Sequence, residues 1–330
     1  MTLRMVFDRQ DLQRVRLATD ADPMWELVLG VVNIRARRLP APLMPWRREA
    51  SARLGGSDRG SQAVSLLHRL VTPEGNFPDF LTPPGLVRDI DAGCEAVACT
   101  SGPRLTLDLG AVFAGRAVPL WVRTLAGGDR ERVGEVVRAV RAGHDLLVAP
   151  HWAAVRDVVV ADRRRRARQA LTEGIGALLN SLPGVLGWDG QVLHTRYPEE
   201  RTVHLGGRGL ILLPSYFCWG NPVTWIDPEL PPVLVYEAAG PRERNLDGSI
   251  PERLVSLMGR TRAECLRLLL TPHTTTELAE HVGTSIGTAS KQAAVLRDTG
   301  LITSERQGMA VLHSITPLGV ALLVGDHADL

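Results

Sequence analysis

Apolar and polar positions follow helical spacing between Thr274 and Thr316, near the carboxyl end of the chain. Thr274 and Glu277 fit a capping box, in which a hydroxyl and a carboxylate satisfy backbone N–H groups at the start of a helix. Gly283 supplies the left-handed conformation that ends such a helix. The apolar side between them is formed by Leu278, Ala279 and Val282. The pattern predicts a short helix and then a tight turn.

A second helix is predicted from Ser285, whose hydroxyl can cap it, to Gly300, which closes it. Its apolar positions are Ile286, Ala289, Ala293 and Leu296. Polar residues lie toward or beside the opposite side, namely Thr288, Ser290, Lys291 and Gln292. The two helices and their short connection have the spacing of a helix-turn-helix.

Two extended segments follow, Leu301–Arg306 and Ala310–Ile315, and they are joined by Gln307-Gly308-Met309. A glycine in such a short connection is typical of a β-hairpin. The hairpin would place Arg306 and Gln307 near its tip, where they can meet phosphate or the minor groove.

Hydroxyl, amide and ammonium groups on an exposed helix side are suited to the donors and acceptors of base edges in the major groove. Lys291, the only lysine of the chain, is among them. The candidate DNA-binding residues are Thr284, Ser285, Thr288, Ser290, Lys291, Gln292, Arg297, Arg306 and Gln307.

The segment TTTELAEHVGTSIGTASKQAAVLRDTGLITSERQGMAVLHSITPLG resembles the DNA-binding domain of ArsR-type bacterial repressors. The resemblance covers roughly the last quarter of the chain and implies a winged helix that binds double-stranded DNA as a dimer, more often as a repressor than as an activator. Metal-sensing members have paired cysteines on the first of the two helices, where this chain has Glu277-Leu278-Ala279-Glu280. Gln292 stands where the family often has histidine, so the base preference does not carry over.

The charge of this segment is nearly balanced. Leu254–Ala321 contains six basic and five acidic residues, a net charge of +1. Because non-specific affinity depends on phosphate neutralisation, one copy should bind DNA poorly. We therefore expect a homodimer that binds two half-sites of a near-palindromic operator.

The remainder of the chain is too long to be an appendage, since a minimal repressor needs about 100 residues. The chain has 330 residues, 45% hydrophobic and 22% charged, with a net charge of +2, which is an ordinary globular balance. The expected fold is α+β, with a large mixed regulatory domain over residues 1–245 and the winged helix-turn-helix domain over residues 246–330. The leading region resembles the poorly characterised domain of some long ArsR-type regulators, for which we know of no established ligand.

Within the leading region the pattern predicts both helices and strands. Residues 40–60 are predicted to form a loop. The four arginines of Arg163–Arg166 are interpreted either as a solvated helix face or as an extension of the DNA-binding surface. One predicted helix begins near Pro23, and two others cover Gly127–Arg141 and Arg163–Leu182. The predicted strands are Leu3–Phe7 and, as a small antiparallel sheet, Thr202–Leu205, Gly209–Leu213, Val223–Ile226 and Val233–Tyr236.

Four aromatic residues lie close together between Tyr216 and Trp225, in a chain that is only 5% aromatic. Such a cluster indicates either a pocket for a small apolar effector or the core between sheet and helices. The residues that would line the pocket are Trp25, Tyr216, Phe217, Trp219 and Trp225.

Other chemistry leaves little trace in the sequence. The four cysteines have no zinc-ligand spacing, and the sequence contains no phosphate loop or nucleophile elbow. We expect no enzyme activity, no cofactor and no metal. With no signal sequence or membrane span in the pattern, a cytoplasmic protein is expected.

The sequence therefore favours a dimeric transcription regulator tuned by a ligand or partner of its leading domain. Two alternatives remain open. One is an enzyme or small-molecule-binding protein that uses the winged helix only for assembly, and the other is a metal-responsive repressor.

Overall fold

The structure, a computed structural model, describes residues 1–71, 76–85, 87–238, 250, 252–307 and 310–324. It divides into two compact units. The first consists of Met1–Arg35 and Glu49–Ala238, and the second of Ala36–Arg48 and Ala239–Leu330. The expected boundary between residues 245 and 246 lies outside the described residues. Each unit contains both helices and strands, so the predicted α+β class is confirmed.

The first unit combines helices with two small sheets. Its strands are β1 (Thr2–Val6), β2 (Arg16–Leu17), β3 (Val185–Trp188), β4 (Val192–Arg196), β5 (Arg201–His204), β6 (Ile211–Ser215) and β7 (Val233–Glu237). Its helices are α1 (Arg9–Gln13), α2 (Pro23–Ile34), α4 (Asp58–Leu70), α5 (Ile90–Ala98), α6 (Gly102–Val112), α7 (Leu120–Ala126), α8 (Arg130–Leu147), α9 (Trp152–Glu173) and α10 (Ile175–Asn180). Helix α3 (Met44–Gly55) begins in the second unit and ends in the first.

The first sheet has the strand order β3-β4-β1-β5. Strand β1 is central, antiparallel to β4 and parallel to β5. Leu3 and Met5 alternate with exposed Arg4 and lie in a core that also contains Leu193 and Val203. The predicted first strand is confirmed with a shift of one residue.

The second sheet has the order β2-β6-β7, with every neighbouring pair parallel. The prediction of one small antiparallel sheet is therefore wrong. Strand β5 belongs to the other sheet, and Val223 forms only an isolated bridge to Val235. The glycine and proline signals locate the breaks between strands but not their direction, and residues 216–232 are long enough for the crossover that parallel pairing requires.

One loop prediction and one helix prediction also need correction. Residues 40–60 form a 3-10 turn (Ala41–Leu43), α3 and the start of α4 rather than a loop. Pro42 and Pro45 lie at helix starts, where a missing N–H costs nothing. The helix predicted over Arg163–Leu182 is interrupted by Gly174, whose φ of 87° separates α9 from α10.

The arginine run on α9 is only partly solvated. Arg164 and Arg168 are exposed, but Arg166 is buried and donates to Ser181 Oγ at 2.8 Å. Its guanidinium lies 5.8 Å from the ring centre of Tyr236, whose hydroxyl donates to buried Asp162 at 2.7 Å. The solvated-face interpretation is wrong for Arg166, because Asp162 provides a buried partner one helical turn away.

A second buried charge cluster surrounds Arg104 on α6. Its guanidinium contacts Asp227 at 2.6 Å, Asp108 at 2.8 Å and Asp79 at 3.5 Å. Asp79 also accepts from the backbone N–H groups of Ile226 and Asp227 at 2.8 and 2.7 Å. Burial raises the pKa of Asp79 to about 6. The ion pairs of Arg104 connect three segments that are distant in sequence.

Glu26 of α2 is a buried carboxylate with three donors. It accepts from Tyr216 N at 2.9 Å, from Phe217 N at 3.1 Å and from Ser215 Oγ at 3.0 Å. Desolvation raises its pKa from 4.5 to about 7 despite these hydrogen bonds, and neighbouring Asp22 raises it further.

The folded state therefore holds the Glu26 proton more tightly than the unfolded chain does. This contribution to stability is present below pH 4.5 and is lost as the pH rises through 7. We expect the free energy of unfolding to fall over this window by on the order of 3 kcal/mol from this group. In Glu26→Gln that part of the slope should be absent, as measured by urea denaturation at several pH values. Glu229→Gln, at an exposed carboxylate, is the control, and equal slopes in the two variants would contradict the assignment.

The second unit is built from short helices and a small sheet. Its elements are α11 (Glu252–Met258), α12 (Arg260–Leu268), β8 (His273–Thr274), α13 (Thr275–Val282), α14 (Ile286–Asp298), β9 (Ile302–Gln307), β10 (Ala310–Ile315) and α15 (Pro317–Val324). The sheet has the order β8-β10-β9 and is antiparallel. Its core contains Leu266, Leu278 and Leu296, together with Ala41. The N–H of Ala41 donates to Leu270 O at 3.0 Å.

None of the helices in the described ranges has the length and apolar character needed to cross a bilayer.

Candidate nucleic-acid interface

The start of α13 and its connection to α14 are fixed by local hydrogen bonds. Thr274 N–H donates to Glu277 Oε2 at 2.9 Å, and Glu277 N–H donates to Thr274 Oγ1 at 3.3 Å, so the predicted capping box is confirmed. Gly283 ends α13 with φ 69° and ψ 40°. Ser285 then caps α14 by accepting from Thr288 N–H at 3.1 Å.

Helix α14 buries one side and exposes the other. Ala289, Ala293 and Leu296 are buried, as predicted. The prediction for Ile286 is wrong, because this side chain is 56% exposed at the first residue of the helix. Helical spacing places Ile286 at the edge of the apolar side, in the first turn of the helix.

The predicted DNA-binding residues of this region fall into two groups. Ser290 and Lys291 are exposed. The other candidates on and next to α14 are half-buried or already hydrogen-bonded within the protein. The hydroxyls of Ser285 and Thr288 lie 2.9 Å apart, and Thr284 is half-buried.

Gln292 is half-buried and connects α14 to α12. Its Oε1 accepts from Arg262 Nε at 3.0 Å, which leaves the amide NH₂ as the group that can donate to a base. Sequence spacing identifies the polar side of α14 but not this contact, since Arg262 is on another helix.

The hairpin of β9 and β10 is confirmed, and its register places Val311 opposite Arg306. The Arg306 side chain is exposed next to the end of β9. Arg297, at the end of α14, is exposed and pairs with Asp298 at 3.0 Å. The Gln307 side chain and the turn residues Gly308 and Met309 lie outside what the structure describes.

His313 is a residue of this region that the sequence pattern alone did not bring out. It is 5% exposed on β10, and its ring nitrogens lie 2.9 Å from Thr275 Oγ1 and 2.8 Å from Ser304 Oγ. Burial lowers its pKa, which favours the neutral ring. His313 thus joins the start of α13 to the hairpin. Its alternation with buried Ile315 is the sequence signal that indicates an inward position.

The aromatic residues of the first unit contribute mainly to its interior. Trp25, Phe217 and Trp225 are buried, and the rings of Trp25 and Trp225 lie 6.0 Å apart. Tyr216 is half-buried beside Phe217, and Trp219 is 38% exposed. This placement favours the core interpretation over the pocket.

A separate cleft of about 310 Å³ lies among α4, α7 and α8. It combines the Trp121 ring with the charged groups of Arg69, Arg132 and Glu135. Arg132 donates to both oxygens of Glu135 at 2.8 Å, and Trp121 Nε1 donates to the same carboxylate at 3.4 Å. The five aromatic residues named from the sequence are not part of its lining.

Among the described residues, no group of three or more His, Cys, Asp or Glu side chains is arranged to hold a metal ion. The four cysteines are free thiols. Comparison with known proteins found no matching family model, no matching curated protein and no matching solved structure.

Proposed function

We propose that this chain is a sequence-specific DNA-binding regulator of transcription whose second unit acts as a winged helix-turn-helix. The observation that carries the proposal is the connected set of α13, the Gly283 turn, α14 and the β9–β10 hairpin, with β8 pairing back onto β10. In such domains the second helix enters the major groove. Here that helix is α14, and the hairpin is the wing.

The exposed chemistry of α14 supports this role. Lys291 supplies a positive charge and Ser290 a hydroxyl on the side opposite the buried alanines. Arg306 supplies a second positive charge on the wing. These groups can contact phosphate oxygens and base edges without disturbing the core of the unit.

A homodimer on a near-palindromic operator accounts for the low charge of this unit. One copy offers few phosphate contacts, and two copies double them. Leu257 of α11 and Leu318 of α15 are 67% and 59% exposed, and we propose that a second copy covers them. The proposed role of this dimer is to repress transcription, in the cytoplasm.

The first unit is the proposed sensor. A small molecule or partner bound there changes the affinity for DNA, and DNA changes the affinity for that ligand by the same factor. The cleft beside Trp121 has room for a small molecule and offers an aromatic wall with charged groups. It is therefore a better location for an effector than the buried aromatic core.

The experiment that tests this function is footprinting of the full chain on the DNA upstream of its own gene. We expect protection of two half-sites with centres about 10 base pairs, or a multiple of this, apart. A specific complex should be at least about 1000-fold tighter than binding to random duplex at the same salt concentration. Equal affinity for every duplex, or no binding at low ionic strength, would refute the proposal and favour an assembly role for the second unit.

Arg306→Ala should weaken binding to operator and random DNA by similar factors, because a wing arginine contacts the sequence-independent backbone. The slope of log affinity against log salt should become shallower by about 1 for each phosphate that is no longer neutralised, or about 2 in a dimer. The matched control is Arg59→Ala, at an exposed arginine of α4. A weakening confined to the operator would assign Arg306 to base recognition instead.

A further inference from the structure

The first turn of α14 presents an aliphatic surface to solvent. Ile286 is 56% exposed, although the buried side of the same helix is occupied by Ala289 and Ala293. The polar groups next to it are engaged with each other, since Ser285 Oγ lies 2.9 Å from Thr288 Oγ1 and accepts from Thr288 N–H. An apolar side chain is therefore exposed at this end of the helix, beside polar groups that already have partners.

The surroundings of Ile286 leave room for a close approach. Gly287 has no side chain, and a Cβ at this position would meet nothing closer than Ser285 Oγ at 4.0 Å. Exposed Ser290 and Lys291 follow one turn later. A surface that contacts α14 along this side meets the Ile286 methyl groups and then the Ser290 hydroxyl one turn later, while Lys291 lies further round the helix.

Resting on the proposed function, we propose that Ile286 is a specificity-determining residue that contacts the 5-methyl group of one thymine in each half-site. The first residues of a recognition helix contact base edges. In the major groove the thymine methyl is the feature that an aliphatic side chain recognises, since the other distinguishing groups are hydrogen-bond donors and acceptors. Ile286 therefore selects thymine at one position, and Ser290 and Lys291 act on neighbouring groups.

The test removes single methyl groups from the DNA. The full chain first selects its preferred duplex from a random pool, and each thymine of that duplex is then replaced by deoxyuridine. Fluorescence anisotropy measures the dissociation constants. We expect one thymine in each half-site at which the replacement weakens binding by about fourfold, the effect of one methyl group taken out of water. The replacement at both half-sites should weaken binding by about 15-fold.

Ile286→Ala should bind the deoxyuridine and thymine duplexes equally well, and Ile286→Val should retain most of the difference. Val295→Ala is the matched control, because Val295 is also an exposed β-branched residue of α14, at 39% exposure, but lies near the other end. This control should show the full deoxyuridine effect. Circular dichroism and thermal unfolding check that each variant is folded.

The outcomes separate this inference from the function on which it rests. If the wild-type chain selects no duplex, the proposed function fails. If it selects a duplex but no thymine is sensitive, or the sensitivity persists in Ile286→Ala, the function stands and the role of Ile286 is refuted. Loss of binding to all DNA in Ile286→Ala would also refute it, because a methyl contact accounts for only a severalfold change.

Discussion

Lys291→Glu is expected to weaken operator binding by on the order of 100-fold or more, while thermal stability stays within a degree or two of the wild type. The side chain is exposed on α14 and is the only lysine in the chain. A carboxylate at this position would face DNA phosphates, and like charges brought together at an interface cost several kcal/mol. Exposed surface substitutions, in contrast, change stability by only about 0.5 kcal/mol.

The measurement is a titration of labelled operator at a fixed salt concentration. Arg59→Glu on α4 is the matched control, since it makes the same change in net charge at an exposed residue of the first unit. Lys291→Gln should fall between the wild type and Lys291→Glu. Similar reductions in affinity for Lys291→Glu and Arg59→Glu would mean that only the overall charge matters.

The unique lysine also permits a measurement without mutation. An amine-specific acetylating reagent can modify only one lysine side chain, so mass spectrometry reports directly on Lys291. Operator DNA should slow the acetylation of Lys291 but not that of the terminal amine. An unchanged rate in the saturated complex would place α14 outside the DNA contact.

Arg104→Met is expected to lower the free energy of unfolding by about 3–5 kcal/mol, the usual effect of removing one partner from a buried ionic group. The side chains of Asp79 and Asp108 are 2% and 1% exposed, and each is deprived of its cationic partner in this variant. Asp227 is deprived of an ion pair of 2.6 Å. Methionine keeps much of the side-chain volume, so the destabilisation reports on charge rather than on a cavity.

Urea denaturation of Arg104→Met at two pH values gives a sharper result. Because the pKa of Asp79 is already raised to about 6, protonation relieves its unpaired charge at pH 5 but not at pH 8. The destabilisation should therefore be larger at pH 8. The control is Arg164→Met, which removes an exposed arginine from the same unit. A destabilisation below about 1 kcal/mol at pH 8 would show that the three aspartates are stabilised by other groups.

Local signals were sufficient where structure depends on neighbouring residues. The capping box of Thr274 and Glu277, the glycine end of α13 and the two strands of the hairpin were all predicted correctly. Each of these features is determined within a few residues, by a side chain that satisfies a backbone group or by a glycine that permits a positive φ.

Features that depend on distant residues could not be predicted in the same way. Hydrophobic runs do not determine which strands pair, so the parallel order β2-β6-β7 was missed. The partners of Arg104 come from three parts of the sequence, and the hydrogen bond between Gln292 and Arg262 joins two helices. Proline content was misleading at residues 40–60, because proline is tolerated at the first positions of a helix.

The second unit is formed from two separate parts of the chain, which has a practical consequence for its isolation. Ala36–Arg48 belongs to this unit, and Ala41 contributes to its core and donates a hydrogen bond to Leu270. A fragment that starts at residue 246 would lack this segment and would expose apolar surface that is covered in the intact molecule. A single proteolytic cut therefore cannot release the whole unit, and a minimal fragment for crystallisation needs residues 36–48 grafted or added in trans.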